Sequence, residues 1–364
     1  MVCIAAFIVL CLISVVVGAI SIFYRPIGKR YWKTFKKAWG CVGKRLTLQK
    51  CETGFKEDIK NSILAKVIVR KPKLVKPIGI GIEVVSVLIV IVTVWSLLAA
   101  AKGGLALYVY GTCDVTTPSA CSLDATEACT IDSERLGFVD SIRQFKLHVY
   151  VVNWFGEFGE IFAALPARMR NWDAMDYIPE GANFFNTFDE SKPVALDIFD
   201  PGCSVCRQSY INMKESGFFD RYNVAMMVYP IAAADGNGSK FKNSYVLARY
   251  IVAAGNYEAT EMDRSLDWAI VNRLFTEYDE KKRQYQDAFN SSYSEEEAQE
   301  VLKMWMSDFG LNAEEVAMIA ERSESEEVGD LIEANRRTVH DRIRTKKIPT
   351  LIFDGRRHAG IFEE

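Results

Sequence analysis

Residues 192–210, KPVALDIFDPGCSVCRQSY, limit what this chain can fold into more than any other stretch. Val194, Ala195, Leu196, Ile198 and Phe199 make a short apolar run, interrupted only by Asp197. Such a run, bounded by turn signals, reads as a buried strand. Asp200-Pro201-Gly202 supplies the turn. Cys203 and Cys206 follow, with residues that can open a helix. The order is strand, tight turn, CxxC, helix.

Cysteines spaced in this way on a first helical turn share a face and can close a small disulfide. The unpaired N–H groups of a helix N-terminus carry partial positive charge and stabilise a thiolate, the reactive form. They can lower a cysteine pKa to about 3.5–7.5. Cys203, at the mouth, is the candidate nucleophile and is expected to be exposed. Cys206, one turn inside, is the candidate resolving thiol and is expected to be buried. Taken alone, a CxxC fits half a zinc site equally well. Asp197 lies within the apolar run, where desolvation would raise its pKa and let it take and return the proton of Cys206. The plainer alternative is an acid at a strand edge facing water. Near the C-terminus, KIPTLIFDG at 347–355 puts Pro349 at the start of another apolar strand. There its missing N–H costs no ladder bond.

Asp197, the Cys203/Cys206 pair opening a helix, and Ile348-Pro349-Thr350 together resemble the thioredoxin superfamily. The resemblance implies an α/β, thioredoxin-like fold. It also implies a redox-active Cys203–Cys206 disulfide with no organic cofactor, and a cis Ile348–Pro349 bond beside that disulfide. Substrate would bind at Ile348, through its free backbone, and at Thr350. A helical block at about 232–346, between the third and fourth strands of the family, is similar to the arrangement in DsbA-like members. Ser204-Val205 departs from the Gly-Pro of typical thioredoxins and the Pro-His of typical DsbA, which leaves the direction of electron transfer open.

Charge and hydropathy place this domain. Across residues 25–77 sixteen Lys/Arg face three Asp/Glu, so a whole-chain charge of −3 leaves the remainder near −16. The hydrophobic content of 49% and mean hydropathy of +0.02 are high because of two apolar stretches. Residues 2–24 and 78–101 are each long enough to cross a bilayer. No basic segment precedes the first, which favours a retained helix over a cleaved signal peptide. The basic stretch between them is expected in the cytoplasm. Tyr31, Trp32, Phe35 and Trp39 alternate there with lysines, as suits an interfacial helix on anionic lipid rather than a nucleic-acid site. Glu83 is expected at the interface. Cys3 and Cys11 read as packing residues, and Cys41 and Cys51 as reduced thiols without a role. Two spans put the acidic remainder on the extracytoplasmic side, where disulfides persist.

The expected organisation is therefore two transmembrane helices at 1–24 and 78–102 around a basic cytoplasmic loop at 25–77. A juxtamembrane linker with amphipathic helices at 103–170 and the thioredoxin-like domain at 171–364 follow. Cys113, Cys121 and Cys129 are evenly spaced in the linker. They read as a structural disulfide plus a leftover thiol, or as accessory thiols that exchange electrons with Cys203 and Cys206. Residues 138–169 suit one or two amphipathic helices, Gly156 and Gly159 weakening a single one. Phe184, Phe185 and Phe188 look like the core of a short helix. A second buried strand is expected at 223–229, helices at 240–254, 265–289 and 326–346, and a last strand at 358–362. Ser294/Glu297 and Asn312/Glu315 read as capping boxes. The sequence stops at Glu364 without the terminal helix the family usually adds. Either it is truncated or another element, such as the aromatic helix around Trp154, covers that sheet face.

The leading function is a membrane-anchored oxidoreductase exchanging disulfides with exported proteins, alongside a membrane or soluble redox partner. A metal-handling CxxC module is an alternative, disfavoured because His148, His340 and His358 are the only histidines. A non-catalytic assembly or binding subunit with a structural disulfide is another.

Overall fold

Five of the six residues of Val194–Phe199 (β2) are buried, and a strand apolar on both faces has to be covered on both. The computed structural model describes residues 75–115, 129–131, 135, 137–233, 238–255, 257–259 and 264–363. The expected span at 2–24, the basic segment to residue 74, and Cys3, Cys11, Cys41, Cys51 and Cys121 lie outside the described residues. The chain divides into two compact units, Met1–Lys102 and Gly103–Glu364.

Val75–Tyr110 (α1) is one helix. It runs through the second expected span and eight residues into what the sequence suggested was linker, because Leu105, Ala106 and Val109 continue the apolar pattern. Its stretch Ile91–Tyr110 is long and apolar enough to cross a bilayer, and it is the only such helix among the described residues. Two amphipathic helices follow, Phe138–Arg143 (α2) and Leu147–Met169 (α3), the second unbroken at Gly156 and Gly159. Trp154, Glu157, Ile161, Ala164 and Ala167 line its buried face at helical spacing. Ile161 and Ala164 pack against Ala106, Val109, Tyr110 and Val115. Ala167, near the C-terminal end of the same helix, belongs instead to the main core. A 3-10 turn, Ala174–Tyr177, lies against β2.

The central sheet has the order β3-β2-β7-β8. Asn223–Val228 (β3) runs parallel to β2, Val194 opposite Asn223. Thr350–Phe353 (β7) runs antiparallel to it with Ile198 opposite Thr350, and Arg356–Ala359 (β8) forms the edge. The last strand therefore begins earlier than 358. Ser204–Glu215 (α4) follows the CxxC turn and buries Cys206, Ser209, Tyr210 and Met213, one face of an α-helix. Phe218–Arg221 (α5) then leads into β3. The segment at Phe184 is extended rather than helical. Phe184 bridges Ala225 and the Phe185 N–H donates to Val224 O at 2.8 Å, so it covers the free edge of β3. Phe185 stacks on Phe219 with ring centroids 4.0 Å apart, whereas Phe188 is exposed.

Between β3 and β7 lies the helical insertion. It starts with Ser244–Ala254 (α6) and the short pair Glu258–Ala259 (β4) and Arg264–Ser265 (β5). The helix expected over 265–289 is two, Leu266–Thr276 (α7) and Tyr285–Ser291 (α8). The break is the loop at Asp279, whose carboxylate accepts from the Arg283 backbone N–H and Nε, both at 2.8 Å. Glu295–Asp308 (α9) and Ala313–Ser323 (α10) open on the expected Ser294/Glu297 and Asn312/Glu315 capping boxes. Glu326–Arg337 (α11) passes into a π-turn, Thr338–Ile343, stopped by Arg344 at φ 55°. The short Cys129–Thr130 (β1) and Lys347–Ile348 (β6) pair antiparallel to each other, outside the central sheet.

Asn223 fixes the entry to both central strands. Its Nδ2 donates to Asp189 O at 2.7 Å and Lys192 O at 2.9 Å, and its Oδ1 accepts from Asp189 N at 2.9 Å. Asn223→Ala is expected to destabilise the chain by about 2–4 kcal/mol, because it leaves three backbone groups unpaired. Denaturant unfolding checks this, and a change below about 0.5 kcal/mol would contradict the assigned anchoring.

Candidate functional site

The antiparallel register of β7 on β2 brings Ile348 and Pro349 to the end of β2, where the CxxC turn begins. The Ile348–Pro349 bond is cis. Cys203 is the N-cap of α4, with extended backbone. Its N–H donates to Asp200 O at 3.0 Å, and its carbonyl accepts from the Gln286 amide at 2.9 Å. The same amide donates to Pro201 O at 2.7 Å, and Asn290 Nδ2 donates to Gly202 O at 2.7 Å. Phe241 closes on the turn from above, and a Cβ at Gly202 would lie 2.4 Å from Phe241 Cβ. Helix α8 and the approach to α6 therefore clamp the motif from the insertion side.

The cysteine pairing differs from the expected one. Cys203 is bonded to Cys129, with Cα atoms 6.4 Å apart, and Cys206 is a free, buried thiol. The linker cysteine Cys113 is also disulfide-bonded. Cys203 is wholly buried rather than exposed. The physical reason is that β1 lies over it, with Cys129 opposite Ile348 and Thr130 opposite Lys347. Ile131 N donates to Lys346 O at 3.0 Å, and Lys240 Nζ donates to Thr130 O at 2.9 Å. The Ile348 backbone thus has a partner in β1. Thr350, expected to meet substrate, is buried, and its hydroxyl donates to Lys347 O at 2.6 Å. It holds the turn before Pro349 rather than facing the groove.

Beneath the turn lie two carboxylates. Asp197 is buried in β2 opposite Leu351, and its Oδ1 has no hydrogen-bond partner. Desolvation alone raises its pKa to about 7. Asp200 was legible only as a turn residue, yet it is equally buried. Its Oδ1 accepts from Gly202 N at 2.7 Å and from the Ser244 hydroxyl, and its Oδ2 accepts from Ile231 N at 2.7 Å. Burial raises its pKa to about 6 against the pull of these donors. The Asp200 N–H points at Cys206 Sγ, 3.4 Å away. Burial pushes the Cys206 thiol well above its ordinary pKa; the Asp200 N–H opposes this, and the charges of Asp200 and Asp197 reinforce it. Cys206 is therefore held as a protonated thiol, near enough to Asp200 and Asp197 for their charges to oppose its ionisation. Among the described residues no three His, Cys, Asp or Glu side chains gather as a metal site would require.

Strand order, a cysteine pair at the mouth of the first helix and a cis-proline at the end of the neighbouring strand define a thioredoxin-like α/β fold with a helical insertion. No protein-family model matches the chain, and no curated protein matches its sequence. Among solved structures, the chain is similar to the thiol-disulfide oxidoreductase MdbA of Actinomyces oris, at 14% identity and a TM-score of 0.37, over 52% of this chain and 85% of that one. It is similar to the thiol-disulfide exchange protein alpha-DsbA2 of Wolbachia pipientis, at 12% identity and a TM-score of 0.34, over 52% and 84%. Proteus mirabilis ScsC aligns at 11% identity and a TM-score of 0.33, over 63% and 93%. At such values these likenesses carry neither fold nor chemistry, which rest on the strand register and residues above.

The Asp197 carboxyl has a definite pH signature. A folded pKa raised from 3.8 to about 7 means that the folded state holds a proton the unfolded chain has released. Its stability contribution is complete below pH about 4 and is lost as pH rises through about 7. Asp197→Asn keeps the volume and removes the charge, so the variant is expected to be more stable than the parent at pH 8. The gain is at most about 4 kcal/mol and vanishes towards pH 4. Thermal unfolding of the detergent-solubilised chain at both pH values reads this, and a difference independent of pH would show that Asp197 does not titrate in this range.

Proposed function

We propose that this protein is a thiol–disulfide oxidoreductase that works through Cys203 and Cys206, anchored in a membrane by α1 and acting on exported proteins. One observation carries the reading. Cys203 is joined to the cysteine of an extended segment laid along Ile348, and a free thiol sits one helical turn behind it.

The chemistry follows from the two environments. Cys203 caps α4, where unpaired N–H groups favour its thiolate once the bond to it opens. That thiolate attacks a substrate disulfide, one substrate sulfur leaves and takes a proton, and a mixed disulfide remains on Cys203. Asp197 then accepts the proton of Cys206, whose thiolate attacks Cys203 Sγ. The Cys203–Cys206 bond forms, the bond to substrate breaks, and the substrate thiolate leaves and is protonated. Run in reverse, the same steps oxidise a substrate dithiol. The direction is set by the redox partner that resets the pair. The chemistry needs no organic cofactor beyond the two cysteines.

Anchoring is supported by α1, whose Ile80, Val84, Val87, Leu88 and Ile91 are exposed, as lipid contact would require. Placement outside the cytoplasm is supported by the disulfides at Cys113, Cys129 and Cys203, since such bonds are rare where thiols are kept reduced.

A second reading, a binding platform held by a structural Cys129–Cys203 bond, draws on the complete burial of Cys203. The reduction potential of that bond separates the two. A structural disulfide lies below about −300 mV and an exchanging one well above it. Trapping gives an independent check. Cys129→Ser/Cys206→Ser is expected to accumulate mixed disulfides with exported proteins, and a further Cys203→Ser change to abolish them. Equal accumulation with and without Cys203 would exclude the oxidoreductase. Asp197→Asn is expected to slow resolution of a mixed disulfide by about 10²-fold or more, the usual worth of a positioned base.

A further inference from the structure

We propose that residues 129–131 are an internal pseudosubstrate, and that Cys129 is a third redox residue exchanging places with Cys206 on Cys203. The inference rests on the oxidoreductase reading and adds a closed state to it.

The contacts at Cys129 are those of a bound peptide, and they exceed what a cross-link needs. The bond joins positions 74 apart in sequence. Around it, Cys129 and Thr130 pair with Ile348 and Lys347, and Ile131 N reaches Lys346 O at 3.0 Å. Lys240 adds a charged donor to Thr130, 2.9 Å from its carbonyl and 3.4 Å from its hydroxyl. Thr130 is buried and Cys203 is sealed, so an external protein has no path to Cys203 in this state. A purely structural bond would have no use for a neighbouring free thiol. Here Cys206 is free, lies on the same helical turn as Cys203, and feels the charges of both Asp197 and Asp200.

The opening step is an internal exchange. Cys206 gives its proton to Asp197, and the resulting thiolate attacks Cys203 Sγ. The Cys203–Cys206 bond forms as the Cys129–Cys203 bond breaks. Cys129 leaves as a thiolate and recovers a proton. One disulfide replaces another, so no electrons enter or leave and no outside oxidant is required. In the open form the groove beside Ile348 is vacant and Cys203–Cys206 is the reacting disulfide. The occupant it accepts is an extended cysteine peptide whose next carbonyl meets Lys240. Closure is the reverse attack by Cys129.

The test uses the full chain in detergent, equilibrated in glutathione buffers, acid-quenched, alkylated and mapped by mass spectrometry. Both Cys129–Cys203 and Cys203–Cys206 are expected. Their ratio should stay constant as the glutathione potential changes, because their interconversion moves no electrons. Only one of the two bonds in the oxidised chain, or a ratio that follows the potential, would overturn the proposal. Lys240→Met should shift the ratio about tenfold or more towards Cys203–Cys206, the loss of one charge-assisted hydrogen bond, with Lys240→Arg restoring it. Oxidised Cys129→Ser should react with a reduced fluorescent cysteine peptide, whose thiolate attacks the Cys203–Cys206 disulfide, at least about tenfold faster than the oxidised parent, since only the open fraction reacts. Equal rates for the two chains, both faster than buffer, would overturn occlusion. If neither chain exchanges faster than buffer while both bonds are mapped, the oxidoreductase reading fails and the internal exchange stands.

Discussion

The buried carboxylate of Asp200 is the contact on which the site depends. It ties three parts of the chain to one point: the CxxC turn through Gly202 N, the far end of β3 through Ile231 N, and the first insertion helix through Ser244. A carboxylate with three donors can stay buried where an unpartnered one resists ionisation. Its own N–H is left to face Cys206 Sγ. The turn between β2 and α4 is thus set by a charge network rather than by its proline and glycine alone, and the insertion is wired to the cysteines rather than appended to the sheet. Gln286 and Asn290 extend the same clamp by holding the carbonyls of Pro201, Gly202 and Cys203.

That clamp separates two chemically identical side chains. Cys203 sits at the helix mouth, where backbone N–H groups favour negative charge. Cys206 is desolvated by burial, which opposes charge, and the neighbouring Asp200 and Asp197 carboxylates add to this. The first is suited to leave as a thiolate, and the second to wait as a thiol until a base removes its proton. In the proposed mechanism Asp197 supplies that base, its Oδ1 unpartnered and its carboxyl desolvated so that nothing else stabilises its charge. A hydrogen-bond donor at Asp197 would lower its pKa and weaken it as a proton acceptor. An unpaired buried oxygen is ordinarily a cost to stability, and here it keeps the carboxyl basic.

Much of this was legible in the sequence because it is local. The apolar run of β2, the turn, the cysteine spacing and the capping boxes at Ser294 and Asn312 each depend on residues a few positions apart, and each appears where expected. What escaped depends on distant partners. Asp200 looks like any turn aspartate until Ile231 and Ser244 are brought to it. Lys240, Gln286 and Asn290 are polar residues whose partners, Thr130, Pro201, Gly202 and Cys203, lie at least 83 positions away in sequence. Phe184 and Phe185 stand at helical spacing from Phe188, but the unpaired edge of β3 offered their backbone a better use. The pairing of Cys129 could not be deduced, since evenly spaced cysteines do not encode connectivity. The available signal was an odd number of linker cysteines beside a CxxC.

The edge at Lys347–Ile348 explains why a cysteine segment docks there at all. Pro349 separates it from β7, so its N–H and C=O groups are not consumed by the central sheet. A short unpaired edge accepts any extended chain. Recognition through main-chain hydrogen bonds is indifferent to most side chains, and Lys240 also addresses a backbone carbonyl. Such a groove suits a catalyst that must meet many different cysteine segments, and for the same reason it cannot exclude a segment of its own chain. A tethered segment competes at an effective concentration that can reach the millimolar range, above that of a dilute external cysteine peptide. Occupation by Cys129 is then the expected resting condition of an unselective site carrying a nearby tethered cysteine. The free Cys206 behind it is what makes that condition reversible.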